Sequence, residues 1–205
     1  ETEILLYYGK PSPYNVAQEI YIDMIPVTDY ITSGVWQIIL NPTRVVEGQY
    51  DLWLPSENVL NRGTGFLYPD EEVTLTIPST ADKVISVGAY DALTFSYASF
   101  SGRGYTWQDE RTKPDLVASG VNVRTTAVGG GMTVVSGTSF ATPFVTGASA
   151  LLMEWGIVRG NDPFLYGEKV KAYLRRGARE LPGFGKYPNR EVGYGRLCLE
   201  RSLPD

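Results

Sequence analysis

From residue 139 onward, Ala141, Val145, Ala148, Leu152 and Trp155 recur at helical spacing, with Phe144 and Leu151 widening the stripe. That pattern requires a helix packed on another element. Pro143 limits where the helix can begin, because proline costs little only near a helix start, where backbone N–H groups have few intrahelical partners. The helix is therefore expected to begin at or very near Ser139. It reads as apolar nearly all round, hence buried, with Gly156 as its stop. Gly147, Ala148 and Ala150 are small enough for close approach to a sheet.

Candidate strands for that sheet lie just upstream. Residues 83–88 are nearly continuous apolar, as in a buried parallel strand. Residues 113–118 and 121–125 are two further short candidates, and Gly129-Gly130-Gly131 leads into Thr133-Val134-Val135. A second, amphipathic helix is expected over about residues 166–176, with Val170, Tyr173 and Leu174 inward. Residues 193–199 read as a closing turn and strand. Strand–helix alternation predicts α/β architecture for 81–205.

Residues 1–80 have a different rhythm. Short β-rich runs at 2–8, 19–25, 34–40, 49–54 and 73–77 are separated by Lys10-Pro-Ser-Pro13, Asn41-Pro42, Glu47-Gly48 and 61–65. Regular short strands with such punctuation predict a β-sandwich. Trp36, Ile38 and Leu40 would share a face, as would Tyr50, Leu52 and Leu54, and Val73, Leu75 and Ile77. The aromatics of this half are read as core, and nothing in it is read as catalytic.

Composition excludes several function classes. With 43% hydrophobic and 20% charged residues, the 205-residue chain has the makings of a folded core. Net charge is −5 without a basic run, which argues against nucleic acid as a partner. The single cysteine, Cys198, permits no intrachain disulfide and belongs to no zinc-binding cluster. No acidic loop has calcium-ligand spacing, so no metal or cofactor is assigned. No stretch reaches the roughly 18 apolar residues of a membrane span. The chain opens on Glu1 rather than Met, without a signal-like segment, and is expected to be a piece of something longer.

The chemistry concentrates in Ser136-Gly137-Thr138-Ser139-Phe140-Ala141-Thr142-Pro143. A serine at a buried helix start sits beside free backbone N–H groups and the positive end of the helix dipole, where developing negative charge is stabilised. Gly137 lets backbone come close to a substrate, and small Ala141 keeps the space by the serine open. A lone serine in this position would be an ordinary helix cap. The full segment is more specific. It resembles the nucleophile segment of the subtilisin-like serine peptidases, the subtilases.

The resemblance extends along the chain. Val84-Ile85-Ser86-Val87-Gly88-Ala89 is similar to a core strand of that family, residues 97–104 to the loop after it, and Lys113-Pro114-Asp115-Leu116-Val117-Ala118 to a segment usually continued as Pro-Gly. Here Ser119 precedes Gly120, a departure expected to change a turn and leave the chemistry alone. The likeness covers about residues 81–205. A jelly-roll-like sandwich at 1–80, inserted ahead of the nucleophile, resembles the spore-germination Csp branch, as do residues 48–55 and 165–171. The implied architecture is the C-terminal portion of a subtilisin-like parallel-sheet domain preceded by an inserted β-sandwich.

By this resemblance Ser139 is the nucleophile of an endopeptidase, acting through an acyl-enzyme. Its own N–H is one oxyanion donor, Thr138 supports that site, and Gly137 and Ser136 line the substrate cleft. The family's Asp, His and oxyanion Asn precede the serine, and the chain has no histidine at all. Asp115 is read as structural, and Asp91 and Asp109 as turn residues. In subtilisin, itself a member of that family, loss of the histidine alone costs about 10⁶ in kcat. The chain is therefore expected to be inactive alone and to need the upstream part of the catalytic domain as its partner. Self-association through an exposed sheet edge is also expected. The alternative is a pseudoprotease or scaffold that binds partners without cutting them.

Overall fold

The computed structural model describes residues 1–13, 17–45, 48–55, 59–105 and 112–204. The chain divides into two compact units, Glu1–Ser56 and Glu57–Asp205.

The first unit is built on an antiparallel pair, β1 (Thr2–Gly9) and β2 (Glu19–Pro26), two of the expected strands. Thr2 lies opposite Pro26 and Gly9 opposite Glu19. This register puts Ile4 and Met24, Leu6 and Ile22, and Tyr8 and Ile20 side by side on one face. Tyr7 and Tyr21 pair on the other, with ring centroids 5.9 Å apart. Segments 34–40 and 49–54, expected as strands, are irregular. A strand persists only where a neighbour satisfies its N–H and C=O groups. Among the described residues these segments join no ladder, and their apolar side chains lie open: Trp36, Ile38 and Leu40 are exposed, and so are Tyr50, Leu52 and Leu54. Among the described residues, the first unit contains one two-stranded ribbon. The Glu47 of the expected turn lies outside the described residues.

In the second unit, segment 73–77 is likewise no strand. The Thr74 N–H donates to the Arg103 carbonyl at 3.0 Å, and the Arg103 N–H donates to Thr74 Oγ1 at 3.0 Å. This crosslink ties the segment to a loop rather than to a ladder.

The central sheet runs in the order β4-β3-β7, with β3 (Val87–Asp91) between β4 (Ser96–Tyr97) and β7 (Leu116–Ser119). β3 and β7 are parallel, with Val87 opposite Leu116 and Ala89 opposite Ala118. β3 starts later than the apolar run 83–88 implies. The Val84 carbonyl accepts the ammonium groups of Lys113 (3.2 Å) and Lys171 (2.9 Å) instead of joining a ladder. The second expected strand is split. Thr112–Lys113 (β6) pairs with Gly104–Tyr105 (β5), and β7 begins after Pro114 and Asp115. A hairpin follows, β8 (Val123–Thr126) against β9 (Met132–Val135).

Helix α1 (Thr138–Met153) continues as a π-helical turn over Glu154–Val158. Gly156 is not its stop. It is buried in the π turn, where an added Cβ would lie 2.8 Å from a Leu165 methyl, and the left-handed residue is Gly160. Nor is α1 buried all round. Ala141, Val145, Ala148 and Leu152 pack with Ala89, Leu116 and Ala118, whereas Phe144, Leu151 and Met153 are exposed. By length and composition alone, Thr138–Val158 is apolar enough to cross a membrane, but one face of it is core. Helix α2 (Gly167–Gly177) buries Val170 and Leu174, as its pattern predicts, and also Lys171. The expected closing strand reduces to bridges from Arg196 to Val117 and Arg179, followed by a short helix, α3 (Leu199–Ser202).

Candidate active site

Sequence folds the segment around Ser139 as a strand end, a glycine and a helix start. β9 ends at Val135 and α1 begins at Thr138. The residue between α1 and Ser136 is Gly137, with φ 151°, a backbone region that side chains rarely adopt. Glycine here lets the chain turn from strand into helix within two residues. Ser139 is the second helical residue, one place further in than its expected position at the start. Pro143 therefore offers no N–H to the Ser139 carbonyl four residues earlier.

The first helical N–H groups have no helical partner. Those of Phe140 and Ala141 turn back to the Gly137 carbonyl at 3.0 and 3.3 Å. The N–H groups of Thr138 and Ser139 remain at the open end of the helix, beside the Ser139 hydroxyl. Ser139 is exposed, and among the described residues no side chain hydrogen-bonds to its Oγ. The local chemistry is an accessible hydroxyl at the positive end of a sixteen-residue helix. The chain has no imidazole to take the hydroxyl's proton. The four residues 136–139 are thus brought together by local chain geometry, and they face solvent to differing degrees: Ser136 and Ser139 are exposed, Gly137 and Thr138 half-buried.

Two hydrogen bonds hold the segment from below. The Gly137 N–H donates to the Gly120 carbonyl at 2.8 Å, and the Asn122 N–H donates to Ser136 Oγ at 2.9 Å. Gly120 in turn donates to the Tyr90 carbonyl of β3 at 3.1 Å. The residue read as part of a mere turn change is therefore in direct contact with the segment that carries Ser139.

Asp115 lies elsewhere, fully buried behind β7. Its carboxylate accepts the Ser86 N–H at 2.6 Å and Arg175 Nε at 2.9 Å, with Lys171 Nζ at 3.3 Å and Lys113 Nζ at 3.5 Å. Each ammonium is also spent on carbonyls: Lys113 on those of Ala81 and Val84, Lys171 on those of Asp82 and Val84. Burial pulls the Lys113 pKa down, and the neighbouring Asp115 opposes that pull. With its donors satisfied, this is a knot joining strand, loop and α2 and not a reacting group. Lys171 and Arg175 escape a reading based on apolar periodicity. Their four-residue spacing on one helix face is the signal that could have pointed to a shared acidic partner. Asp91 accepts the Leu93 N–H at 2.8 Å in a turn, and Asp109 lies outside the described residues.

The model of the subtilase family (Peptidase_S8) matches residues 67–195, a span that contains the whole segment and begins upstream of Ala81. The chain is 39% identical over 134 residues to the mouse membrane-bound transcription factor site-1 protease, covering 63% of this chain and 12% of that protein. It is 33% identical over 156 residues to serine protease AprX of Bacillus subtilis, covering 66% of this chain and 33% of AprX. Among solved structures, the Clostridium perfringens CspB protease superposes with a TM-score of 0.85 at 45% identity, over 98% of this chain and 42% of that one. The Csp-type resemblance in the sequence thus has a structural counterpart. The chain spans less than half the length of each of these three proteins. A family match over more than half the chain, joined to a superposition of nearly all of it, means that this chain belongs to the subtilase family of serine peptidases.

Proposed function

We propose that the chain is the nucleophile-bearing portion of a subtilisin-like serine endopeptidase acting on protein or peptide substrates. The observation that carries this reading is the exposed Ser139 in the first turn of α1, behind a glycine whose N–H is tied to the sheet. Ser139 Oγ attacks the scissile carbonyl carbon, and the carbonyl π-electrons move to oxygen. The resulting oxyanion is held by the Ser139 N–H, with Thr138 in support, at the positive end of the helix. Collapse expels the amine and leaves an ester on Oγ, which water then cleaves. Gly137 and Ser136 flank the bound peptide.

A base must take the hydroxyl proton and return it to the leaving amine. The chain contains no histidine, so the base comes from outside it, and the subtilase order of motifs favours polypeptide upstream of Glu1 as the source of the base, its orienting carboxylate and the second oxyanion donor. The exposed Phe144, Leu151 and Met153 of α1, with Met132 and Val134 of β9, suit the face against which that polypeptide packs. The β-rich run over 1–80 is proposed as part of a jelly-roll-like insert. The apolar face of the β1–β2 ribbon, Ile4, Leu6, Tyr8, Ile20, Ile22 and Met24, favours a covering second sheet.

Labelling of the full-length protein with a fluorophosphonate probe tests the reading. Wild type is expected to label and Ser139→Ala to lose the label. A folded wild type that never labels would make the chain a binding subtilase without peptidase activity.

A further inference from the structure

We propose that Gly120 is a positioning residue for Ser139, setting the height of the nucleophile above the sheet through the N-terminus of α1. The inference rests on Ser139 being the nucleophile. Gly120 follows the last residue of β7 and sits between two bodies. On the sheet side is Ala89 of β3. On the helix side are Gly137 and Ala141. A Cβ added at Gly120 would lie 2.6 Å from the Ala89 Cβ, 3.0 Å from the Gly137 carbonyl oxygen and 3.3 Å from the Ala141 Cβ. Carbon atoms rest at about 3.5–4.0 Å, so a methyl group here forces the two bodies apart by about 1 Å.

The backbone makes the same connection. Gly120 donates to the Tyr90 carbonyl at 3.1 Å and accepts the Gly137 N–H at 2.8 Å, so one residue joins β3 to the glycine that opens α1. Ala89 lies on the middle strand of the sheet and is fully buried. The helix start is open to solvent at Ser136 and Ser139. The open side yields first. Ser139 rides two residues beyond Gly137 on a rigid helix and moves with it. Displacement of a reacting group by about 1 Å is enough to cost about 10²-fold in rate.

The test uses full-length protein and the second-order rate of fluorophosphonate labelling, with the thermal midpoint followed in parallel. Gly120→Ala is expected to slow labelling by about 10²-fold. The double variant Ala89→Gly/Gly120→Ala moves the methyl from one side of the contact to the other and frees the sheet side to yield. It is expected to recover most of the labelling rate. A purely structural role would leave the rate per folded molecule unchanged while the midpoint fell. Wild-type labelling in folded Gly120→Ala overturns the positioning role and leaves the nucleophile assignment standing. A double variant that fails to fold, or folds without recovering the rate, also overturns it. A wild type that does not label removes both.

Discussion

Asp115 is the residue on which the second unit converges, and it is an acid with no catalytic part. It is fully buried against three cations that come from β6 and α2. Removing one member of a buried ionic cluster leaves the others uncompensated, which costs about 3–5 kcal/mol. Asp115→Asn is accordingly expected to lower stability to urea by about 3 kcal/mol or more. A loss below about 1 kcal/mol would mean that the cations find other partners or water. The structural reading of this aspartate was legible from its place in Lys113-Pro114-Asp115, next to a strand candidate. Its partners Lys171 and Arg175 were hidden, because apolar periodicity weighs a buried lysine as surface. Gly120 was hidden for a related reason. Its significance is an absent side chain in a tight space, and a sequence records that absence without recording the space.

At the scale of elements, the helices were the most legible. α1 and α2 each carry one strong apolar stripe, and Pro143 confined the start of α1 to within a residue. Strands were harder. Val84 and Ile85 continue the apolar run of β3, yet their stretch of backbone serves the lysines of the buried knot. Alternation at 34–40 and 49–54 marks segments suited to a pleated, half-buried surface, but pairing also requires a strand alongside, and among the described residues neither segment joins a ladder. The π turn after α1 has no sequence signature. It brings Asn161 and Asp162 around to α2, where Asp162 accepts Lys169 Nζ at 2.6 Å and the Tyr173 hydroxyl at 2.9 Å. The hydrogen bond from Lys169 holds the Asp162 carboxyl below its ordinary pKa, and the same bond raises that of Lys169. A depressed carboxyl stabilises the fold above its unfolded value of about 3.9, and that contribution disappears as pH falls through the folded value. A raised amine contributes fully below its unfolded value of about 10.4 and loses its contribution as pH rises through the folded one. Asp162→Asn should therefore melt below wild type near neutral pH, with the two curves meeting in acid below the depressed carboxyl value. A difference that persists undiminished at the acid end would assign the loss to packing and not to charge.

On the scale of the whole molecule, exposed apolar side chains recur on both units: the ribbon face of β1 and β2, the outward side of α1, and Met132 and Val134 of β9. Surfaces of this kind seek cover. The isolated 205-residue chain is expected to self-associate, with a mass by light scattering that rises with concentration and falls when the proposed upstream polypeptide is supplied. A strictly monomeric chain at high concentration would remove this expectation. The family was legible from the order of motifs alone. The proposed insert rests on sequence rhythm, since a sandwich is defined by which strands pair and the described residues pair only two of them in the first unit. The central claim is that Ser139 is a nucleophile whose proton acceptor lies outside this chain. The most direct measurement is mass-spectrometric mapping of the phosphonyl adduct on the isolated chain and on the full-length protein under the same conditions. An adduct is expected on Ser139 of the full-length protein and none on the isolated chain. An adduct on another residue, or equal modification of Ser139 in the isolated chain, would contradict the claim.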